Sequence, residues 1–309
     1  MAHSARSELL IGRQFRHTLP LNRSYFRNVR FFDEATPDDI LGGLVQNGSL
    51  TEKNFLVMLD IVLVTTAPIR VSAKDTGRVV SIVDTRLDVR DYLISCKSKF
   101  STAKSELWIH RILSRNVSGQ ENAFRDGIRA RDNKCVILGI VNKRAVIDIW
   151  TGFEAAHIFP LEKESLWIEF NYGRWVTDMD DTVGVPKINS CQNGFLFRED
   201  IRSLFNQYLL SVNLDDNYKI IVFNVDYLGL DGRTLDPVCR NPADPHSVSD
   251  QLLRWHFRQS VVANMRGAGE PIFEHDFPPG TYVMSEIRRG PLAQEKFELE
   301  LSYRLREVA

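Results

Sequence analysis

Two short segments constrain the fold of this chain more than anything else in it. The first is Gly152-Phe153-Glu154-Ala155-Ala156-His157-Ile158-Phe159-Pro160-Leu161. It reads as a strand with a histidine near its end. The second is Asn193-Gly194-Phe195-Leu196-Phe197-Arg198-Glu199-Asp200-Ile201-Arg202-Ser203-Leu204-Phe205-Asn206. Its Asn-Gly pair is the dipeptide of a tight type I′ turn. A short apolar strand follows, then a helix from about Glu199 to Leu210. The order is strand, long loop, strand, helix, which predicts an α+β core.

The surroundings narrow the class. The 309 residues suffice for two compact domains or one with large additions. Hydrophobic residues at 43% and charged residues at 26% are ordinary for a globular protein. Lys plus Arg is 39 against 40 Asp plus Glu, a net charge of −1. Proteins that grip nucleic acid without sequence preference carry a basic excess, so the count leans against that class. Cys96, Cys135, Cys191 and Cys239 include no C-x-x-C pair, which argues against a zinc knuckle and for reduced, buried thiols. No secretory signal is visible. The longest apolar run, Phe55 to Val64, is interrupted by Asp60 and too short for a bilayer. The expectation is a soluble intracellular protein, cytoplasmic or nuclear, without a membrane partner.

Along the chain, residues 1 to about 20 read as a loose arm. Strands are expected at Asn28–Phe32, Ile61–Val64, Ile69–Val71, Val79–Val83 and Tyr92–Cys96. Thr51 is a candidate N-cap for a helix to Leu59, with Glu52 in its first turn. Gln120 to Arg131 reads as a helix, and Cys135–Leu138 and Val146–Trp150 as two short strands. A long Gly-, Asp- and Pro-rich connection covers 226–248, and helices are expected at Val248–Met265 and Leu292–Arg306. This divides the chain into an N-terminal α+β unit (1–120), a ββα domain (121–225) and a C-terminal helical extension packing on it (226–309).

The two central segments resemble the HNH nuclease family, in the branch written A-A-H-I-x-P followed by N-G-L-x-L-R-x-D-I-H-x-L-F-D. The core resemblance covers residues 152–206. The stretches Leu252–Gln259 and Glu274–Gly280 also look like those around this module in filamentous-fungal proteins. The resemblance implies a ββα-metal fold and metal-assisted phosphodiester hydrolysis. A strand histidine acts as general base, and a divalent cation held from the helix stabilises developing charge. By match, His157 is the base and Asn193 braces the loop that orients it.

The chain departs from the family where the metal should be held. The helix histidine is replaced by Arg202 and the later aspartate by Asn206. A guanidinium offers no lone pair and repels a cation. Ala156, before the histidine, is no ligand, and Glu154 lies three residues from His157, on the other strand face if alternation is strict. Arg198, Arg202 and Asn206, spaced four apart, are expected to form a polar stripe able to bind a phosphate, carboxylate or enolate. The 162–187 loop carries Trp167, Phe170, Tyr172 and Trp175, expected as core residues or as a lid over a small ligand. His256 and His275 read as structural.

Three functions follow. The first is a repurposed enzyme without cofactor, performing cyclisation, isomerisation or elimination on a small organic substrate, with a place in fungal secondary metabolism. Its catalytic residues would be His157, Asn193 and Arg202, and its substrate-binding residues Arg198, Asn206, Trp167 and Trp175. The second is a metal-dependent endonuclease acting on DNA, its ligands moved to Glu154, Asp200 or Asn206. The third is an inactive binding module.

Overall fold

A computed structural model describes residues 22–102, 119–179 and 186–267. The arm at 1–20, the helix expected at Leu292–Arg306 and His275 lie outside the described residues.

The N-terminal part is built on β1 (Val29–Asp33), β2 (Thr36–Leu44), α1 (Glu52–Val62), β3 (Leu63–Val64), β4 (Ile69–Ala73), β5 (Asp91–Cys96) and β6 (Ser101–Thr102). One sheet has the order β2-β1-β5-β4, with β1 and β5 parallel and the outer pairs antiparallel. β3 pairs with β6. Thr51 does cap α1, in a reciprocal box. Its hydroxyl accepts from the Asn54 N–H, and the Asn54 side chain accepts from the Thr51 N–H. The helix runs one turn past Leu59 because Met58, Leu59 and Val62 all bury against the sheet. Val79 to Val83 makes only an isolated bridge to Ser72, and Ile82 stays exposed.

The central part comprises α2 (Gly119–Asp132), β7 (Phe153–His157), α3 (Glu164–Glu169), β8 (Gly194–Arg198), α4 (Glu199–Asn206), β9 (Leu210–Asn213) and β10 (Lys219–Val222). β7 and β8 form an antiparallel pair that places His157 opposite Gly194 and Phe153 opposite Arg198. β9 and β10 form a second hairpin. α5 (Asp250–Met265) closes the described chain. The architecture is α+β, with β7, β8 and α4 as its ββα unit.

Several local expectations are corrected. Cys135–Leu138 is a tight turn rather than a strand, closed by the Cys135 N–H to the Ile140 carbonyl, with Gly139 in the left-handed region at φ +72°. Val146–Trp150 is a 3-10 turn leading into left-handed Asp148, and Val146 is 90% exposed. These residues have strand propensity but extend no ladder among the described residues, Val136 alone donating its N–H to the Leu196 carbonyl of β8. α4 stops at Asn206, since Tyr208 turns to φ +58° and Leu210 is needed in β9. Asn193 and Gly194 form no type I′ turn. Asn193 ends a 3-10 turn, Cys191–Asn193, and Gly194 is extended at φ −164°.

Alternation along the β7–β8 pair sends its side chains to two different helices. Ala156, Phe195 and Phe197 join Ile201 and Phe205 of α4 in the main central core. Ala155 and Leu196 meet Phe124 and Ile128 of α2. α5 serves two cores at once. Leu252, Leu253 and Trp255 enter the central one, while Phe257, Val261 and Met265 enter the N-terminal one beside Phe31, Phe55 and Met58. The C-terminal helix thus packs on the N-terminal unit as well as on the ββα region. Each fully buried Phe or Leu in these contacts contributes about 1.5–3 kcal/mol.

Candidate functional site

His157 is the last residue of β7 and sits on the α2 side of the pair. Its ring stacks on Phe124 with centroids 3.8 Å apart and planes 10° from parallel. Its Nε2 lies 3.1 Å from the Asn189 Oδ1. Donation from Nε2–H to that carbonyl oxygen would fix both tautomer and ring orientation. The stack requires a residue without a side chain opposite the histidine. A Cβ on Gly194 would overlap the Phe124 ring, so close approach rather than backbone angle demands the glycine there.

Asn193 is fully buried and ties the end of β7 to the start of β8. Its Oδ1 accepts from the Phe159 N–H at 2.8 Å, and its Nδ2 donates to the carbonyls of Ile188 at 2.8 Å and Phe159 at 3.2 Å. Its own carbonyl accepts from the Ile158 N–H at 2.8 Å. One residue thus clamps both residues that follow His157.

A second support comes from α2. Arg131 and Asp132 form a buried ion pair at 2.6 Å, with side chains 2% and 0% exposed. Arg131 donates to the carbonyls of Cys191, Gly194 and His246, and Asp132 accepts from the Leu196 N–H. Burial holds the Asp132 carboxyl above its usual range, opposed by the Arg131 contact. The pair fixes the path of the chain into β8.

Arg202 lies on the other side. It projects from α4 onto β7, where its guanidinium forms an ion pair with Glu154. Glu154 shares its strand face with Ala156, not with His157. The geometry therefore brings Arg202 to Glu154 and sets His157 against α2. Arg198 ends β8 instead of standing on the helix, and its guanidinium pairs with Asp200 at 3.2 Å. The stripe of Arg198, Arg202 and Asn206 consequently does not form, because Arg198 precedes the first helical turn. Asn206 is the last residue of α4.

The aromatic loop closes on the protein itself. Trp167 is 1% exposed and packs in the central core with Phe159, Tyr172 and Trp255. It presents no surface to a ligand. Trp175, half-buried, stacks at 4.8 Å on Tyr172. His256 is a core histidine, with Nδ1 2.8 Å from the Ser211 hydroxyl and Nε2 3.2 Å from the Phe205 carbonyl.

A divalent cation between β7 and α4 is what the family's chemistry would require, and the residues present do not fit one. Ala156 has no donor atom, Arg202 is a fixed cation, and Glu154 is already neutralised by it. Asn206 offers at most a neutral carbonyl.

Phe124, Asn189, Arg131 and Asp132 were not signalled by the sequence. Phe124 lies far from the two central segments, Asn189 stands just before the second with no motif of its own, and Arg131 and Asp132 read as ordinary surface charges.

Residues 135–213 match the family model described as HNH endonuclease, and residues 26–101 match a domain of unknown function, DUF8573. No curated protein and no solved structure matches the chain. Among the described residues no helix is long and apolar enough to cross a membrane. The matched stretch contains the β7–β8 pair, α4 and β9. Residues 135–213 thus form a domain of the HNH nuclease family.

Proposed function

We propose that this HNH-family domain performs metal-free acid–base chemistry with His157, on a small organic substrate rather than on a nucleic acid. The observation that carries the reading is the Glu154–Arg202 ion pair between strand and helix. The guanidinium neutralises that carboxylate and so disfavours a cation between β7 and α4, while His157 stands on the opposite face of the strand. A base in a fixed orientation suffices for isomerisation, elimination or cyclisation, which move a proton and break no phosphodiester. Asn189 and Phe124 orient His157 for that role, and Asn193 and Arg131 act as positioning residues behind it. The charge balance supports a small substrate. Within residues 135–213 there are seven Lys and Arg against ten Asp and Glu, the wrong sign for a polyanion.

A second reading, a metal-dependent endonuclease acting on DNA, is favoured by the family match and by retention of His157 and Asn193. The two readings separate in one assay of the full chain with plasmid DNA and Mg²⁺ or Mn²⁺. Metal-free chemistry expects no cleavage by the wild type, and gain of Glu154-dependent Mn²⁺ binding in Arg202→His. Cleavage that needs added metal and is lost in both His157→Ala and Glu154→Gln would establish the endonuclease instead.

A further inference from the structure

Away from the Glu154–Arg202 pair, three side chains of metal-binding type converge from three separate segments. Asp178 precedes the 3-10 turn at Lys187–Asn189, Cys191 opens the turn that leads into β8, and His246 stands in the connection before α5. A carboxylate oxygen, the sulfur and a ring nitrogen all lie within 4.8 Å of one another. The Asp178 side chain is 3% exposed, and its Oδ2 is 3.0 Å from the Nδ1 of His246, which is 54% exposed. The other Asp178 oxygen accepts from the Ser190 hydroxyl at 2.5 Å.

The scaffold around these donors is rigid. A single nitrogen of Arg131 bonds the carbonyls of Cys191 and His246, each at 2.8 Å, so one buried guanidinium fixes the backbone behind two of the three. The Cys191 sulfur packs so closely on α2 that a Cβ on Gly127 would overlap it. Gly127 lies one helical turn beyond Phe124, the residue that stacks on His157.

We propose that Asp178, Cys191 and His246 bind one Zn²⁺ ion, with the fourth position open to water on the exposed side of His246. Thiolate, imidazole and carboxylate are the zinc donor set, and three protein ligands plus water is the open form of such a site. A thiolate beside an imidazole disfavours Mg²⁺ and Ca²⁺, which take oxygen ligands. The 3.0 Å between carboxylate and imidazole is close to the separation of roughly 3.3 Å expected for ligands on a tetrahedron with bonds of about 2.0 Å. On binding, the His246–Asp178 hydrogen bond is exchanged for two metal bonds, and the Cys191 proton leaves to solvent. The ion then balances the buried carboxylate and clasps the three segments beside the turn that carries Asn193. This site is independent of the reading given for His157.

Co²⁺ titration of the chelator-stripped full chain tests it, because cobalt reports a bound thiolate through a charge-transfer band and tetrahedral geometry through its visible spectrum. One equivalent with a thiolate band is expected. Cys191→Ser should remove the band. His246→Ala, at a half-exposed position that leaves the core untouched, should weaken binding at least about tenfold, the scale of losing even an outer-shell partner. Cys96→Ser and Glu154→Gln should titrate as the wild type does. Absence of a thiolate band in the wild type, a band that survives Cys191→Ser, or undiminished affinity in His246→Ala would overturn the proposal.

Discussion

The two faces of the β7–β8 pair hold their polar residues in different ways. On the α2 face, His157 is stacked on Phe124, admitted by Gly194 and held behind by the buried bonds of Asn193. Those contacts are buried or close-packed, so they determine both stability and orientation. On the α4 face, Glu154 and Arg202 form an ion pair whose side chains are 38% and 30% exposed. Such a pair is screened by solvent and contributes little to folding. The face that carries His157 is tightly packed and hard to alter, while Glu154 and Arg202 stand at positions where a change costs little stability. Residues adjacent in a linear motif point to opposite sides of a strand, so one side can change its chemistry while the other stays fixed.

The comparison makes ordered predictions. Asn193→Ala should be the most damaging single change. It leaves the buried Phe159 N–H and the Ile188 carbonyl without their partner, at about 1–3 kcal/mol for each orphaned group. Urea unfolding measures it, and a loss below about 1 kcal/mol would mean that the α2 face is not held as described. Gly194→Ala should follow at about 1–3 kcal/mol, the usual cost of overpacking, because Phe124 must move off the new methyl. Its histidine ring resonances should shift in an NMR spectrum as the stack is disturbed, and unchanged resonances would break the link between the glycine and His157. His157→Ala should cost about 1 kcal/mol through the lost ring contact, with circular dichroism of the folded state unaltered. Smallest of all, a double-mutant cycle on Glu154→Gln and Arg202→Met should give a coupling of about 0.2–1 kcal/mol. A coupling above about 3 kcal/mol would place that pair among buried networks and erase the contrast between the faces.

Much of the frame was readable from residue order. The strand–loop–strand–helix sequence and the cap at Thr51 follow from local pattern, and α5 from its apolar spacing, whereas local pattern at Asn193 pointed to a type I′ turn that does not form. What escaped depends on contacts between distant segments. Arg202 finds Glu154 across 48 positions, and Phe124 meets His157 from a helix that carries no motif. Arg131 and Asp132 read as surface charges, yet they are buried because three carbonyls and an N–H converge on them. Trp167 and Trp175 looked able to cover a ligand, but apolar partners from Phe159 and Tyr172 claim them. Asp178, Cys191 and His246 have no ligand spacing, since chain folding alone assembles them. Strand propensity misled at Cys135–Leu138, where the chain turns back at Gly139 after a single bond from the Val136 N–H to the Leu196 carbonyl of β8, and at Val146–Trp150, which winds into a 3-10 turn.

The central claim is that a guanidinium stands where a divalent cation would otherwise face Glu154. Mn²⁺ binding to the wild type, Arg202→His and the double variant Arg202→His/Glu154→Gln, followed by electron paramagnetic resonance, tests it most directly. The account predicts no Glu154-dependent Mn²⁺ site in the wild type, a new site in Arg202→His, and its loss in the double variant. A wild-type Mn²⁺ site that disappears in Glu154→Gln alone would contradict it, since the carboxylate would then be serving a metal with Arg202 in place.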